Sequence, residues 1–238
     1  MRRIEDLKVK LFSDGADKTA MLEMYANPLI RGLTTNPTLM KKAGVADYRS
    51  FCKDVLQHVH AKPISFEVLS DDFPEMERQA LEISSWADNV YVKVPITNTK
   101  GESAVGLIER LVRQRVKVNV TAILTLDQVR DVVSVLNPTF SSYVSVFAGR
   151  IADTGQPALP VMTAAVELLK HAPAAELIWA SPRELYNVFE ADLAGCHIIT
   201  VSPDILRKLS LVDYDLREYS LDTVKMFYND ARAAGYTL

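Results

Sequence analysis

Cysteine is scarce in this 238-residue chain: Cys52 and Cys196 stand far apart, without the close spacing of a metal site. A single bridge would be unusual in a core of this size, so reduced thiols and a cytoplasmic setting are expected. Histidine is equally thin, with four scattered residues. His58 and His60 fall two apart in a stretch that reads as helix, on different faces, and make a poor metal pair. Neither charge dominates: 27 basic and 30 acidic residues give a net charge of -3, which leaves no basic footprint for nucleic acid. No apolar run reaches the ~18 residues of a membrane span, and "MRRIEDLKVK" is not followed by the apolar core of a secretory signal. Neither GxGxxG nor GxxxxGK[ST] occurs, which argues against a nucleotide-binding turn. No low-complexity segment, linker or charge run marks a boundary, so 1–238 is read as one domain, soluble, with no metal, cofactor, nucleic acid or membrane partner expected.

What is present is a rhythm. Short β-branched runs, "VKLFSD" (9–14), "IRGLTT" (30–35), "ISFEVL" (64–69), "VYVKVP" (90–95), "VKVNVT" (116–121), "YVSVFA" (143–148), "ELIWAS" (176–181) and "HIITVS" (197–202), read as strands. Between them lie stretches such as "ESAVGLIERLVRQR" and "PVMTAAVELLKHA" with apolar residues at three- and four-residue spacing. Eight strand–helix repeats in this length predict an α/β fold, a (β/α)8 barrel, rather than a doubly wound open sheet. The stretch 213–238, with Tyr214, Tyr219, Phe227 and Tyr228, lies beyond the eighth repeat as a helical extension. Its aromatics suit the core, a cover over the barrel mouth, or a docking surface on a neighbour.

Side chains alternate across a strand, and here the polar residues keep one parity. Ser65 and Glu67 oppose Ile64, Phe66 and Val68; Tyr91 and Lys93 oppose Val90, Val92 and Val94. Lys117, Asn119 and Thr121 oppose Val116, Val118 and Val120; Tyr143, Ser145 and Phe147 oppose Val144 and Val146; Trp179 and Ser181 oppose Ile178 and Ala180. In a barrel these polar faces converge at the mouth, where active sites of this fold lie.

Lys93 is the residue that most needs a reason. A lysine inside a buried strand either snorkels its ammonium to water or serves as an amine nucleophile. The converging set, Lys93 with Glu67, Asp14, Asn119, Thr121 and Ser145, suits Schiff-base chemistry on a carbonyl, in which the protonated imine accepts electrons as a neighbouring bond breaks. Arg150 beyond the sixth strand, with Ser181 and Arg183 and a following helix N-terminus after the seventh, suits a phosphate monoester.

In the same order, "GLTTNPTLM", "VYVKVP", "VNVTAILT", "SVFAGRIAD" and "LAGCHIITV" resemble the transaldolase family, which includes the shorter fructose-6-phosphate aldolases, and they cover most of the chain. The resemblance implies a (β/α)8 barrel with Lys93 as the Schiff-base nucleophile and Asp14 as general acid/base. It implies that Glu67 and Thr121 hold a catalytic water, that Asn36 and Asn119 bind dihydroxyacetone hydroxyls, and that Thr34 and Ser145 line the pocket. Arg150, Ser181 and Arg183 match the phosphate clamp. Aldolase members carry Gln where this chain has Glu67, Tyr where it has Phe147, and apolar residues at Asn119 and Ser145, so the implied activity is that of a transaldolase. Dihydroxyacetone would pass from fructose 6-phosphate or sedoheptulose 7-phosphate to erythrose 4-phosphate or glyceraldehyde 3-phosphate. The alternatives are an aldolase releasing free dihydroxyacetone and a non-catalytic sugar-phosphate binder. Short members form oligomers through the C-terminal region, which makes a homo-oligomer the expectation. The chain departs from the family in "LFSDGAD", where Asp17 is a less favoured stand-in for Asp14, and in the long "ITNTKGESA" loop.

Overall fold

The β-branched runs become eight strands that close into a parallel barrel in sequence order in the computed structural model, which describes residues 3–238. The first half runs β1 (Lys10–Asp14), α1 (Lys18–Ala26), β2 (Ile30–Thr34), α2 (Pro37–Lys42), α3 (Tyr48–Leu56), β3 (Ile64–Glu67), α4 (Phe73–Ser84), β4 (Val90–Pro95) and α5 (Val105–Arg113). The second half runs β5 (Val118–Ile123), α6 (Leu126–Val135), β6 (Ser142–Val146), α7 (Ala148–Asp153), α8 (Ala158–Leu169), β7 (Ala175–Trp179), α9 (Tyr186–Ala194), β8 (Ile198–Val201), α10 (Pro203–Arg207) and α11 (Leu216–Ala233). The fold is therefore the (β/α)8 barrel that the rhythm predicts. Several helices start on side chains that accept an otherwise orphaned N–H: Asp17, Asn36, Asp47, Asp72 and Asp215, with a full capping box at Thr125 and Gln128.

The alternation sorts residues into two cores. The outward faces of the strands, with Phe66, Val92, Val118, Val144 and Trp179 among them, pack under the helices. The inward faces meet as a smaller cluster of Phe12, Tyr91, Tyr143, Ile178, Ala180 and Ile198. Tyr91 and Tyr143 stack at 3.9 Å between centroids, and Phe12 meets Tyr143 edge-on at 5.8 Å. Gly32 makes room for this layer, since a Cβ there would lie 2.5 Å from the Phe12 ring.

The seventh strand corrects the parity reading. Trp179 faces the helices, while Ile178 and Ala180 face inward, so the expected inner face of this strand is its outer one. Ser181 reaches the barrel mouth because its φ of 60° puts it in the left-handed region, where the alternation no longer applies. The fifth strand starts two residues later than expected and ends past Ala122, also left-handed at φ 61°, beside a register shift. His58 and His60 lie past the end of α3, in the turn and loop before β3, not in a helix.

Helix α11 buries none of its residues. Leu216, Val224, Phe227 and Tyr228 are each at least 60% exposed, so this segment's aromatics are not core.

Candidate active site

Register, more than sequence distance, builds the site. Glu67 pairs with Lys93 across β3 and β4, Lys93 with Asn119 across β4 and β5, and Asp14 with Thr34 across β1 and β2. All point into a cavity of about 510 Å³ at the C-terminal ends of the strands, the size of a small-molecule site. Its lining includes each of the twelve expected residues: Asp14, Thr34, Asn36, Glu67, Lys93, Asn119, Thr121, Ser145, Phe147, Arg150, Ser181 and Arg183. Residues 96–104, the long loop after β4, contribute none of it.

Lys93 is buried, at 6% exposure. Its Nζ lies 3.0 Å from Glu67 Oε2 and donates to the Thr35 carbonyl at 2.8 Å. The snorkelling alternative therefore fails: the amine stays inside, held between a carboxylate and a backbone oxygen. Glu67 is fixed from behind by Tyr48, whose hydroxyl accepts from the Glu67 amide and donates to the Glu67 carbonyl, both at 2.7 Å.

Asp14 accepts from Thr34 Oγ1 at 2.8 Å. Burial pushes its carboxyl above the ordinary range, partly opposed by the charge of Lys93 and the Thr34 hydrogen bond, and reinforced by the charge of Glu67. Asp17, the stand-in, is excluded: it is exposed and its side chain caps α1 by accepting from the Ala20 amide at 2.8 Å.

The amides are more constrained than their sequence positions suggest. Asn119 is fully buried; its Oδ1 accepts from Ser145 Oγ at 2.7 Å and its Nδ2 donates to Ser65 Oγ at 3.0 Å. One Nδ2 proton remains for a ligand. Asn36 spends its Oδ1 on the Leu39 amide at the start of α2, so only its NH2 group is free. Thr121 Oγ1 is buried with no hydrogen-bond partner, an acceptor and donor left over in the lining that also holds the amine.

At the rim, the end of β6 is drawn against the end of β7. Gly149 is required there, because a Cβ would sit 1.6 Å from the Ser181 carbonyl oxygen. The Arg150 guanidinium lies over the Phe147 ring at 5.7 Å. Arg183 donates through Nη1 to Ser181 Oγ at 2.9 Å, and through Nε to Asp153 at 2.9 Å, with Nη2 on the other oxygen of the same carboxylate. Those hydrogen bonds hold the Asp153 carboxyl below its usual range. The helix N-terminus expected to complete this cluster lies further on: α9 starts at Tyr186, outside the cavity lining, and its Asn187 Oδ1 accepts from the amides of Arg183 at 2.7 Å and Glu184 at 3.1 Å in the loop before it.

Sequence reasoning passed over Thr200, Ala122, Ala180 and the α2 face of Thr38, Leu39 and Lys42, which also line the cavity. Alternation within "HIITVS" carries the signal for Thr200, since it shares the inward face of Ile198. The supporting Ser65 shares the polar parity of Glu67, while Tyr48, on α3, carries no such mark. Among the described residues no cluster suits a metal ion, and no helix is long and apolar enough to cross a membrane.

The fold is shared with solved barrels of low identity. A dihydrodipicolinate synthase from Rhodopseudomonas palustris superposes with a TM-score of 0.59 at 13% identity, over 93% of this chain and 80% of that one. A putative phosphonomutase from Burkholderia cenocepacia gives 0.55 at 12%, over 96% and 93%. Sequence relatives are nearer. The chain is 32% identical to a probable transaldolase of Methanococcus vannielii over 218 residues, 90% of this chain and 97% of that protein. It is also 32% identical to a probable transaldolase of Thermoanaerobacter over 228 residues, 95% and 99% respectively. Residues 11–237 match the model of the transaldolase/fructose-6-phosphate aldolase family, and the chain belongs to that family.

Proposed function

We propose that this protein is a transaldolase that works through a Schiff base on Lys93. The observation that carries the reading is a buried amine 3.0 Å from a carboxylate, in a cavity whose lining also includes Arg150, Ser181 and Arg183. The Lys93 amine adds to the ketose carbonyl, and water leaves as the imine forms. Asp14 takes the proton of the hydroxyl on the carbon to be released; the carbon–carbon bond breaks, an aldose phosphate departs, and its bonding electrons pass into the imine as an enamine. A second aldose phosphate accepts that carbon, Asp14 returns the proton, and water held by Glu67 and Thr121 hydrolyses the product imine. Asn36 and Asn119, with one amide face each free, hold the dihydroxyacetone hydroxyls, and Thr34 and Ser145 keep Asp14 and Asn119 in place. Arg150, Ser181 and Arg183 take the phosphate, with fructose 6-phosphate or sedoheptulose 7-phosphate as donors and erythrose 4-phosphate or glyceraldehyde 3-phosphate as acceptors.

Glu67, Asn119, Ser145 and Phe147 favour transfer over release of free dihydroxyacetone, since aldolase members differ at all four. Asn119, held rigid by two serines, keeps a donor on the intermediate, while Phe147 offers no hydroxyl to protonate it. The test is release of glyceraldehyde 3-phosphate from fructose 6-phosphate, coupled to a reporter dehydrogenase, with and without erythrose 4-phosphate. Release that depends on the acceptor is expected; release without it would make the enzyme an aldolase.

We read residues 1–238 as one domain with 213–238 as its extension, working in the cytoplasm; the unpaired buried thiols of Cys52 and Cys196 suit a reducing compartment. The exposed apolar residues of α11, none of which lines the cavity, support a homo-oligomer. A monomeric mass by light scattering would remove that reading.

A further inference from the structure

Thr200 is the inward-facing polar residue of β8, 6% exposed, in the lining beside Asp14 and Thr34. Its Oγ1 meets Thr34 Oγ1, and Thr34 Oγ1 in turn donates to Asp14 Oδ1 at 2.8 Å. A threonine hydroxyl has one proton and two lone pairs. Thr34 has given its proton to Asp14, so the hydrogen bond between the two threonines is donated by Thr200. The three residues sit on three adjacent strands, β8, β1 and β2, and form one directed chain.

We propose that Thr200 is a positioning residue for proton transfer at Asp14: by donating to Thr34 it holds the Thr34 hydroxyl as a donor toward the ionised carboxylate. The inference rests on the reading of Asp14 as the acid–base group. A hydroxyl that accepts a hydrogen bond becomes a stronger donor itself. Without the Thr200 hydroxyl, Thr34 loses the bond that strengthens and orients its donation, and the Thr34 proton can turn to the open cavity. Both changes favour the carboxylic acid.

Few other groups compete for this effect. The charges facing Asp14 are Lys93 from β4 and Glu67 from β3. The strands paired with β1 bring only hydroxyls to it, Thr34 from β2 and Thr200 from β8. Asp17 is turned away to cap α1; Lys42 of α2, Arg150 and Arg183 also line the cavity but are not among the charges acting on Asp14.

The experiment follows kcat/KM for acceptor-dependent aldose phosphate release from acid to alkaline pH in Thr200→Val, which keeps the shape, and Thr200→Ser, which keeps the hydroxyl. Borohydride trapping of the substrate on Lys93 reports folding and imine formation independently. Thr200→Val should move the acid limb to higher pH, lose roughly tenfold on that limb, a fraction of what a positioned acid–base group supplies, and recover toward alkaline pH. Thr200→Ser should follow the parent profile, and both should still trap substrate. An acid limb in Thr200→Val that superimposes on the parent, or equal losses in both variants at every pH, overturns the inference. Asp14→Asn separates the two levels: full turnover in that variant removes the acid–base reading itself. An inactive Asp14→Asn with an unmoved Thr200→Val removes only the role of Thr200.

Discussion

The inside of the barrel is two layers with opposite characters, made by the same strands two residues apart. Phe12 lies below Asp14 on β1, Tyr91 below Lys93 on β4, Tyr143 below Ser145 on β6, and Ile198 below Thr200 on β8. The lower layer is filled by rings and aliphatic chains packed against one another. The upper layer is a cavity whose polar atoms mostly bond to each other: Lys93 to Glu67, Thr34 to Asp14, Asn119 to both Ser65 and Ser145. The difference shows how a closed barrel positions reactive groups. On β1, β4, β6 and β8 each inward side chain of the upper layer is carried by a strand whose inward neighbour below is held by close packing, which stiffens its backbone. The lower layer also denies water a path from beneath, and the buried charges are left with the partners the strands bring them.

The comparison breaks most completely at Lys93. Lys93→Met is expected to reduce turnover by roughly 10⁴–10⁶-fold, as loss of a nucleophile does elsewhere, and to abolish borohydride trapping. Retained sugar-phosphate affinity in the variant, with no turnover in the parent to lose, would instead mark a non-catalytic binding protein.

Asp14→Asn comes next, with an expected loss of about 10²–10⁴-fold in kcat and intact trapping of substrate on Lys93. It carries a stability signature of definite sign. Because burial raises the Asp14 carboxyl, the folded protein keeps a proton that the unfolded chain has released, and stability falls as pH rises through the window between the two values. Asp14→Asn removes that penalty. Its melting temperature should exceed the parent's at neutral pH, and the gap should close as pH falls to the ordinary aspartate range. A variant less stable than the parent at neutral pH contradicts this.

The smallest of the three effects on catalysis, and the largest on stability, is expected in the lower layer. Tyr143→Ala removes the ring stacked on Tyr91 and met edge-on by Phe12, and should cost about 3–5 kcal/mol in denaturant unfolding, as large-to-small aromatic changes in cores do. At temperatures where the variant stays folded, kcat should drop only modestly. A loss of activity equal to that of Asp14→Asn without a loss of stability would mean that the two layers are not separable.

The unpatterned parts of the site are informative about what alternation can carry. The face of Lys93, Glu67 and Asn119 was legible because a regular strand has a two-residue period. Their adjacency was not, since pairing of Glu67 with Lys93 depends on how the intervening α4 segment sets the stagger of two strands. Trp179 was misassigned because a large ring flanked by small and aliphatic residues gives no clear polar parity, and Ser181 reaches the cavity through a left-handed residue that alternation does not describe. Thr200 went unmarked as a lone hydroxyl in an apolar run. The prior commitment of Asn36 to a helix cap and of Asn187 to the amides after β7 is a matter of local geometry, invisible in residue type.

The eight-fold strand–helix rhythm, the inward parity of most strands and the residue types gathered at their C-terminal ends are all written in the chain, because these follow from local periodicity and from which side chains water excludes. Which of those side chains touch, which of their hydrogen-bonding atoms are already taken, and the chain of two threonines that holds Asp14 come from the folded barrel. Such choices depend on closure of the barrel, which brings β8 beside β1 and fixes a stagger that no single segment contains.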